Sequence, residues 1–89
     1  MELEYINELI DEKNLDKLLE YFYVVTVRKN EIRLQGDKNV INLDGFVRRV
    51  GDGCIYFEKE YKHKNNNIEI CIHIDFTPEQ INNLLGESK

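Results

Sequence analysis

The residues best suited to chemistry lie on two alternating stretches between positions 54 and 76. In the second stretch every other residue is isoleucine or phenylalanine, and Glu69, Cys71, His73 and Asp75 fall between them. Alternation of this kind is typical of a strand with one buried face and one polar face. Cysteine, histidine and carboxylate side chains bind zinc or take part in nucleophilic catalysis, so this polar side is the first candidate site.

The two stretches are predicted to pair as an antiparallel hairpin that turns at residues 64–67. Only an even-length loop keeps the apolar sides of both strands together, because a slip of one residue turns a strand over. A four-residue loop places Glu58 opposite His73 and Glu60 opposite Cys71. The candidate chemical groups are therefore expected on the same side of the sheet.

The spacing of these groups does not fit a metal site or a nucleophilic enzyme. No CxxC or HxxxH pair occurs in the sequence, whereas a structural zinc site needs four closely held ligands. Cys71 has only His73 as a nearby base, and side chains two apart on one strand rarely come within hydrogen-bond reach. Cys54 would lie about 20 Å from Cys71, too far for a disulfide. We therefore predict a non-enzymatic protein with no metal and no cofactor.

Recognition of a partner protein is the function predicted for this polar side, because tyrosine and charged side chains on a flat sheet suit an interface. The residues assigned to the site are Tyr56, Glu58, Glu60, Glu69, Cys71, His73 and Asp75. The alternative for the same residues is a solvated face with a Glu58–His73 pair and a half-buried thiol. Compact size and the lack of a catalytic constellation favour a stoichiometric inhibitor, immunity or adaptor protein, such as a phage or mobile-element anti-defence protein.

A basic middle segment supports a second function, the binding of nucleic acid or a small ligand. Residues 21–64 carry nine bases and six acids, although the whole chain has a net charge of −5. The cations assigned to this alternative are Arg28, Arg33, Lys38, Arg48 and Arg49. Nucleic-acid sites usually interleave such cations with exposed aromatic rings, and an acidic protein surface opposes binding. We therefore place a partner protein ahead of nucleic acid.

Apolar spacing predicts helices at the N-terminus, where two stripes occur at helical intervals. The stripes are Leu3, Ile6, Leu9 and Ile10, followed by Leu15, Leu18, Leu19 and Phe22. On one straight helix they would point about 160° apart, so a break at residues 11–14 is expected. Asn14 is a suitable N-cap for the second helix. The alternative is one longer helix packed between two surfaces, as in a homodimer.

Turn signals divide the rest of the chain into strands. The predicted turns are Lys29-Asn30, residues 36–39, Asp44-Gly45, residues 51–53 and residues 64–67. A two-residue turn at Lys29-Asn30 places Ile32 opposite Val27 and Leu34 opposite Val25. Asp44-Gly45 is the strongest short hairpin signal, and it predicts that Ile41 and Leu43 belong to a strand.

The turn at residues 51–53 leaves two registers open. A two-residue loop places Val50 opposite Ile55, whereas a three-residue loop places Val47 opposite Phe57. Near the C-terminus, Thr77 as N-cap, followed by a proline and by Gln80 three residues after the cap, predicts a short helix that ends at Gly86.

These elements define one globular domain, residues 1–89, of the α+β class. We predict an N-terminal helix or two short helices, an antiparallel meander of five or six strands and a short C-terminal helix. The helices are expected to cover one face of the sheet. No apolar run approaches the roughly 20 residues that span a bilayer, so we expect a cytoplasmic protein that binds no membrane. The frequent Lys, Asn, Ile and Glu suggest a bacterial or phage genome.

Overall fold

Two helices and five strands make up the described part of the computed structural model, which comprises residues 1–51 and 54–74. The elements are α1 (Leu3–Asp11), α2 (Leu15–Tyr21), β1 (Val24–Arg28), β2 (Glu31–Asp37), β3 (Val47–Gly51), β4 (Cys54–His63) and β5 (Asn66–His73). The α+β class predicted from the sequence is therefore confirmed. The predicted C-terminal helix, with Thr77, Gln80 and Gly86, lies outside the described residues, and so does Asp75.

The N-terminal apolar stripes belong to two separate helices, as the break at residues 11–14 predicted. Lys13 adopts a positive φ of 56°, and the Asn14 side chain accepts a hydrogen bond from the backbone N–H of Lys17 at 3.1 Å. This N-cap starts α2 in a new direction, so that both helices can bury apolar residues on the same sheet. The single longer helix considered as an alternative does not form.

The stripe of α2 is only partly buried. Leu18 and Phe22 are almost inaccessible, whereas Leu15 and Leu19 remain exposed. Leu15 lines a groove beside the core residues Ile10, Leu18 and Ile32. The homodimer that this stripe suggested stays a prediction.

The five strands form one mixed sheet in the order β1-β2-β5-β4-β3. β2 and β5 are parallel, and the other neighbouring pairs are antiparallel. The predicted antiparallel meander is therefore wrong. β2 and β5 carry the densest alternation of isoleucine and leucine, and the crossover places both at the centre of the sheet, where helices cover their apolar sides. Each also keeps its own hairpin partner.

Residues 38–46, in which a strand was predicted, form a loop instead. The Asp37 carboxylate accepts the backbone N–H of Asn39 at 2.9 Å, and the Asn42 side chain accepts that of Asp44 at 2.8 Å. Such local hydrogen bonds satisfy the backbone without a strand partner. Ile41 is only 5% exposed, because the loop inserts it into the core. Its apolar character therefore reflects burial and not strand pairing.

The hairpin registers follow the predicted parity, with one slip of two residues. Val27 faces Ile32 as predicted, and Val50 faces Ile55, which selects the two-residue alternative. In the β4–β5 hairpin, however, Tyr61 faces Ile68 and not Ile70. The cause is a two-residue turn in place of the predicted four-residue loop. The same faces stay together because both loops have even length.

The core lies between the two helices and the apolar sides of β2 and β5. Its buried members are Ile6, Leu9, Ile10, Leu18, Phe22, Ile32, Leu34, Ile41, Ile68, Ile70 and Ile72. Polar contacts fasten α1 along β4: the Tyr61 hydroxyl donates to Asn7 Oδ1 at 2.7 Å, and His63 Nε2 lies 2.9 Å from Asp11 Oδ1. Lys64 Nζ also contacts the Asp11 carboxylate at 3.1 Å. These contacts set the position of α1 across the sheet.

The close packing of Gly36 against Phe22 predicts the effect of a single added methyl group. A Cβ at position 36 would lie 3.0 Å from Phe22 Cδ1, and the Phe22 ring is fully enclosed. Gly36→Ala should therefore lower the free energy of unfolding by about 1–3 kcal/mol, measured by urea denaturation. The double variant Gly36→Ala with Phe22→Leu should lose less stability than the sum of the losses in the two single variants. A Gly36→Ala protein more stable than the parent would contradict the packing.

The Asp11 contacts predict a pH dependence of stability. Hydrogen bonds from His63 and then Lys64 hold the pKa of the Asp11 carboxyl below its ordinary value of 3.8. A lowered folded-state pKa stabilises the fold fully above the unfolded value, and the gain is lost as pH falls through the folded pKa. Asp11→Asn should therefore reduce the free energy of unfolding at neutral pH, and its difference from the parent should vanish in acid. Glu12→Gln removes the same charge from the adjacent position as a control, and an equal effect there would contradict the pairing.

Candidate functional site

The side of the sheet opposite α1 and α2, here called the polar face, carries four rows of side chains across the strands. Reading from β1 towards β3, the rows are Arg28, Glu31, Asn67 and Lys62; Thr26, Arg33, Glu69 and Glu60; Val24, Gln35, Cys71, Glu58 and Val47; and Asp37, His73, Tyr56 and Arg49. Neighbours within a row come from adjacent strands and lie close enough to interact. The polar face is therefore a lattice that carries charges of both signs and few apolar residues.

Six of the seven residues predicted for partner binding lie on the polar face, and the seventh, Asp75, is outside the described residues. Their neighbours differ from the prediction because of the two-residue slip. Glu58 is opposite Cys71, and Tyr56 is opposite His73. The expected Glu58–His73 and Glu60–Cys71 pairs are wrong. The Tyr56 and His73 rings lie 5.9 Å apart, centre to centre.

Two arginines hold two half-buried glutamates on the polar face. Arg33 Nε lies 3.6 Å from Glu69 Oε1, and Arg49 Nε lies 3.7 Å from Glu58 Oε2. The glutamate side chains are 23% and 25% exposed, whereas those of Arg33 and Arg49 are 49% and 56% exposed. Such pairs add little to stability, but they restrict where each side chain can point. The arginines therefore cover the acids and present their own charge to solvent.

Cys71 lies beneath one of these pairs and is only 3% exposed. Its thiol contacts Glu69 Oε1 at 3.6 Å, and Arg33 Nη2 lies 3.9 Å from the sulfur. Burial raises the pKa of the Cys71 thiol, although the Arg33 charge opposes this shift. A protonated, covered thiol is a poor nucleophile and a poor metal ligand. Cys71 therefore packs beneath the Arg33–Glu69 pair and contacts both of its side chains.

Half-buried His73 lies in surroundings that favour the neutral form of its ring over the charged form. Burial lowers the pKa of His73, and the nearby Arg33 charge lowers it further. Within residues 1–51 and 54–74, no group of three or more His, Cys, Asp and Glu side chains is arranged to hold a metal ion. The Arg33 guanidinium lies beside Cys71 and Glu69.

The cations of the nucleic-acid alternative are divided between surfaces. Arg28, Arg33 and Arg49 belong to the polar face, whereas Arg48 points to the opposite side of β3 and Lys38 lies in the loop after β2. Among its described residues, the polar face carries four cations and five carboxylates. These are Arg28, Arg33, Arg49 and Lys62, with Glu31, Asp37, Glu58, Glu60 and Glu69. The fold therefore does not gather the basic segment into a basic patch.

Two hollows lie along the polar face. A small one of about 130 Å³ lies over β1 and β2 and is lined by Thr26, Arg28, Glu31, Arg33, Gln35 and Glu69. A wider one of about 390 Å³ lies at the edge of β4 where β3 begins, and it is lined from both sides of the sheet by Gly45, Val47, Arg49, Glu58, Lys59, Glu60 and Tyr61. Val47 is 52% exposed beside the wider hollow. The accessible part of the site therefore runs from Arg33 across Glu60 to Val47.

Sequence reasoning missed a second concave site, here called the tyrosine cleft, of about 640 Å³. It is lined by Met1, Tyr5, Glu20, Tyr21, Tyr23, Asp37, Asn39 and Val40. The Tyr5 and Tyr21 rings pack edge to face with centres 6.1 Å apart, and the Tyr23 hydroxyl donates to Asp37 Oδ2 at 2.6 Å. The tyrosines at 21 and 23 flank the end of α2, but only the packing of α1 on α2 brings Tyr5 beside them.

Comparison with protein-family models, curated proteins and solved structures found no match to this chain. Neither helix in the described part of the structure is long and apolar enough to cross a membrane. The polar face and the tyrosine cleft are therefore the features of the molecule that bear on its function.

The covered thiol predicts slow chemical modification of Cys71. In a Cys54→Ser protein, Cys71 is the one thiol that remains. It should react with a disulfide reagent at pH 8 at least about tenfold more slowly in the native state than in urea, since it is buried and protonated. Absorbance of the released thiolate measures both rates. Equal rates in the native and unfolded states would contradict the placement of Cys71.

Proposed function

We propose that this protein is a small acidic, non-enzymatic module that binds a partner protein stoichiometrically through its polar face. Its proposed role is that of an inhibitor, immunity or adaptor protein in the cytoplasm of a bacterium or an infected cell. The observation that supports it is the pair of arginines, Arg33 and Arg49, held in place by half-buried glutamates. Charges fixed in this way form a specific pattern that a partner can match.

Fixed charges favour protein recognition for two physical reasons. Side chains already restricted in the free protein lose less conformational entropy on binding, which lowers the cost of association. Opposite charges in a fixed pattern orient the partner and reject surfaces with the wrong pattern, more than they add to affinity. Along the row of Arg33, Glu69 and Glu60 the side-chain charge changes from positive to negative. The Asn67 side chain donates a hydrogen bond to Glu60 Oε1 at 2.8 Å.

The accessible residues define which side chains would touch the partner. Arg33, Glu60 and Arg49 present charge, and exposed Val47 supplies apolar area beside the wider hollow. Tyr56 lies half-buried at the end of this surface. In this proposal Cys71, Glu58, Glu69 and His73 support the contact residues from below. The proposed site thus stays on the predicted face of the sheet, but Arg33, Arg49 and Val47 join Glu60 and Tyr56 as its contact residues.

The nucleic-acid alternative is supported by Arg28, Arg33 and Arg49 lying on one face. Carboxylates interleave with these cations, and two of the three guanidinium groups already pair with glutamates. A phosphate backbone would meet the carboxylates at close range, so electrostatic repulsion offsets much of the attraction. This arrangement favours a partner with charges of both signs.

Neighbouring arginines on β3 provide a matched test of the proposed surface. Arg49 belongs to the polar face, whereas Arg48 points to the other side, and both are exposed. A tagged protein used as bait in lysate of the source organism should recover one protein at a 1:1 ratio. Arg49→Glu should weaken this complex by at least about tenfold, or roughly 1.4 kcal/mol, by calorimetry with the purified partner. Arg48→Glu should bind like the parent.

Two results would overturn the proposal. Equal losses for Arg48→Glu and Arg49→Glu, with both proteins folded by circular dichroism, would remove the polar face from the interface. Recovery of nucleic acid alone would favour the alternative, which predicts retardation of an oligonucleotide with an affinity that falls steeply as salt rises. No retardation at low salt would exclude it.

A further inference from the structure

The tyrosine cleft combines aromatic rings with carboxylates in a way that suits a positive charge. Tyr5 comes from α1, Tyr21 from α2, and Tyr23 from the connection into β1, so three elements meet around one space. Asp37 ends β2, and Glu20 lies on α2. Aromatic faces carry negative electrostatic potential and attract ammonium groups, and carboxylates add to this attraction.

The molecule already places one of its own ammonium groups on two of these residues. Lys17 Nζ lies 5.9 Å from the centre of the Tyr21 ring and 3.3 Å from Glu20 Oε2. The Lys17 side chain is 40% exposed, so the same position is open to exchange with an external cation. Lys17 thereby shows that Tyr21 and Glu20 are spaced to hold an ammonium group.

At the other side of the cleft, two hydrogen bonds hold the Asp37 carboxylate in place. Its Oδ2 accepts from the Tyr23 hydroxyl at 2.6 Å, and its Oδ1 accepts from the backbone N–H of Asn39 at 2.9 Å. These donors fix the carboxylate, and each of its oxygens keeps a lone pair available. At the rim, the Met1 ammonium donates to the Val40 carbonyl at 2.9 Å. The lining of the cleft thus holds two carboxylates against the one Met1 ammonium, which favours a cation over a phosphate or another anion.

We propose that the tyrosine cleft binds an alkylammonium group, which competes with Lys17 for the Tyr21 ring and Glu20. The group comes either from a free quaternary amine or from a lysine side chain of a protein. This site does not rest on the polar-face function, and its ligand is small enough to be tested without any partner protein. Its failure and the failure of the polar-face proposal are therefore separate results.

Nuclear magnetic resonance titrations of the full chain test the cleft with defined probes. The cations are choline and an N-acetyl-lysine amide, and 3,3-dimethylbutanol is the uncharged isostere of choline. At constant ionic strength both cations should shift the ring signals of Tyr5, Tyr21 and Tyr23 saturably, and the isostere should not. Tighter binding of choline would identify a quaternary amine as the ligand, and tighter binding of the lysine derivative a peptide side chain.

Variants of exposed residues separate competition from simple packing. Lys17→Ala should tighten cation binding by about three- to fivefold, because it frees the Tyr21 ring and Glu20. Glu20→Gln should weaken binding by a similar factor, and Lys13→Ala, which removes an exposed lysine outside the cleft lining, should leave it unchanged. Equal shifts with the isostere, or no effect of Lys17→Ala, would overturn the proposal. Absence of saturable shifts with either cation would also overturn it.

Discussion

The parallel pairing of β2 with β5 is the constraint on which the rest of the structure depends. It joins two local hairpins, β1–β2 and β4–β5, into one sheet and places their most apolar strands side by side. Leu34, Ile70 and Ile72 are fully enclosed as a result. A small domain has only one core to stabilise it, so the strands richest in isoleucine and leucine must lie where helices can cover them.

The same crossover creates the polar face. Arg33 and Glu69 are 36 positions apart in sequence, and the parallel register makes them direct neighbours. Arg49 reaches Glu58 from the other side through the β3–β4 hairpin. Burial of one side of the sheet therefore fixes the charge pattern on the other, because strand geometry assigns alternate residues to opposite faces. One strand register therefore determines both the core on one face of the sheet and the candidate site on the other.

Local sequence signals predicted the parts of the fold that depend on neighbouring residues. The Asn14 cap, the Val27–Ile32 register and the Val50–Ile55 register follow from turn chemistry and alternation. Parity alone cannot separate a two-residue loop from a four-residue one, so the sequence predicts that Glu58 faces His73, whereas in the structure it faces Cys71. Local signals also cannot predict the parallel pairing of β2 with β5, because this pairing depends on which strands the helices bury. Ile41 shows the same limit, since a buried loop residue and a strand residue look alike in sequence.

Asp37 shows how a chain of this size serves two surfaces with one side chain. By register it shares a row of the polar face with His73, yet its carboxylate accepts from Tyr23 in the tyrosine cleft. Burial, and then the hydrogen bond to Asp37, raises the pKa of Tyr23 to about 12, so this donor stays protonated throughout the physiological range. The hydroxyl can therefore donate to Asp37 at any physiological pH, and this contact ties the end of β2 to the start of β1. The Asp37 carboxylate is therefore shared between the lining of the tyrosine cleft and the last row of the polar face.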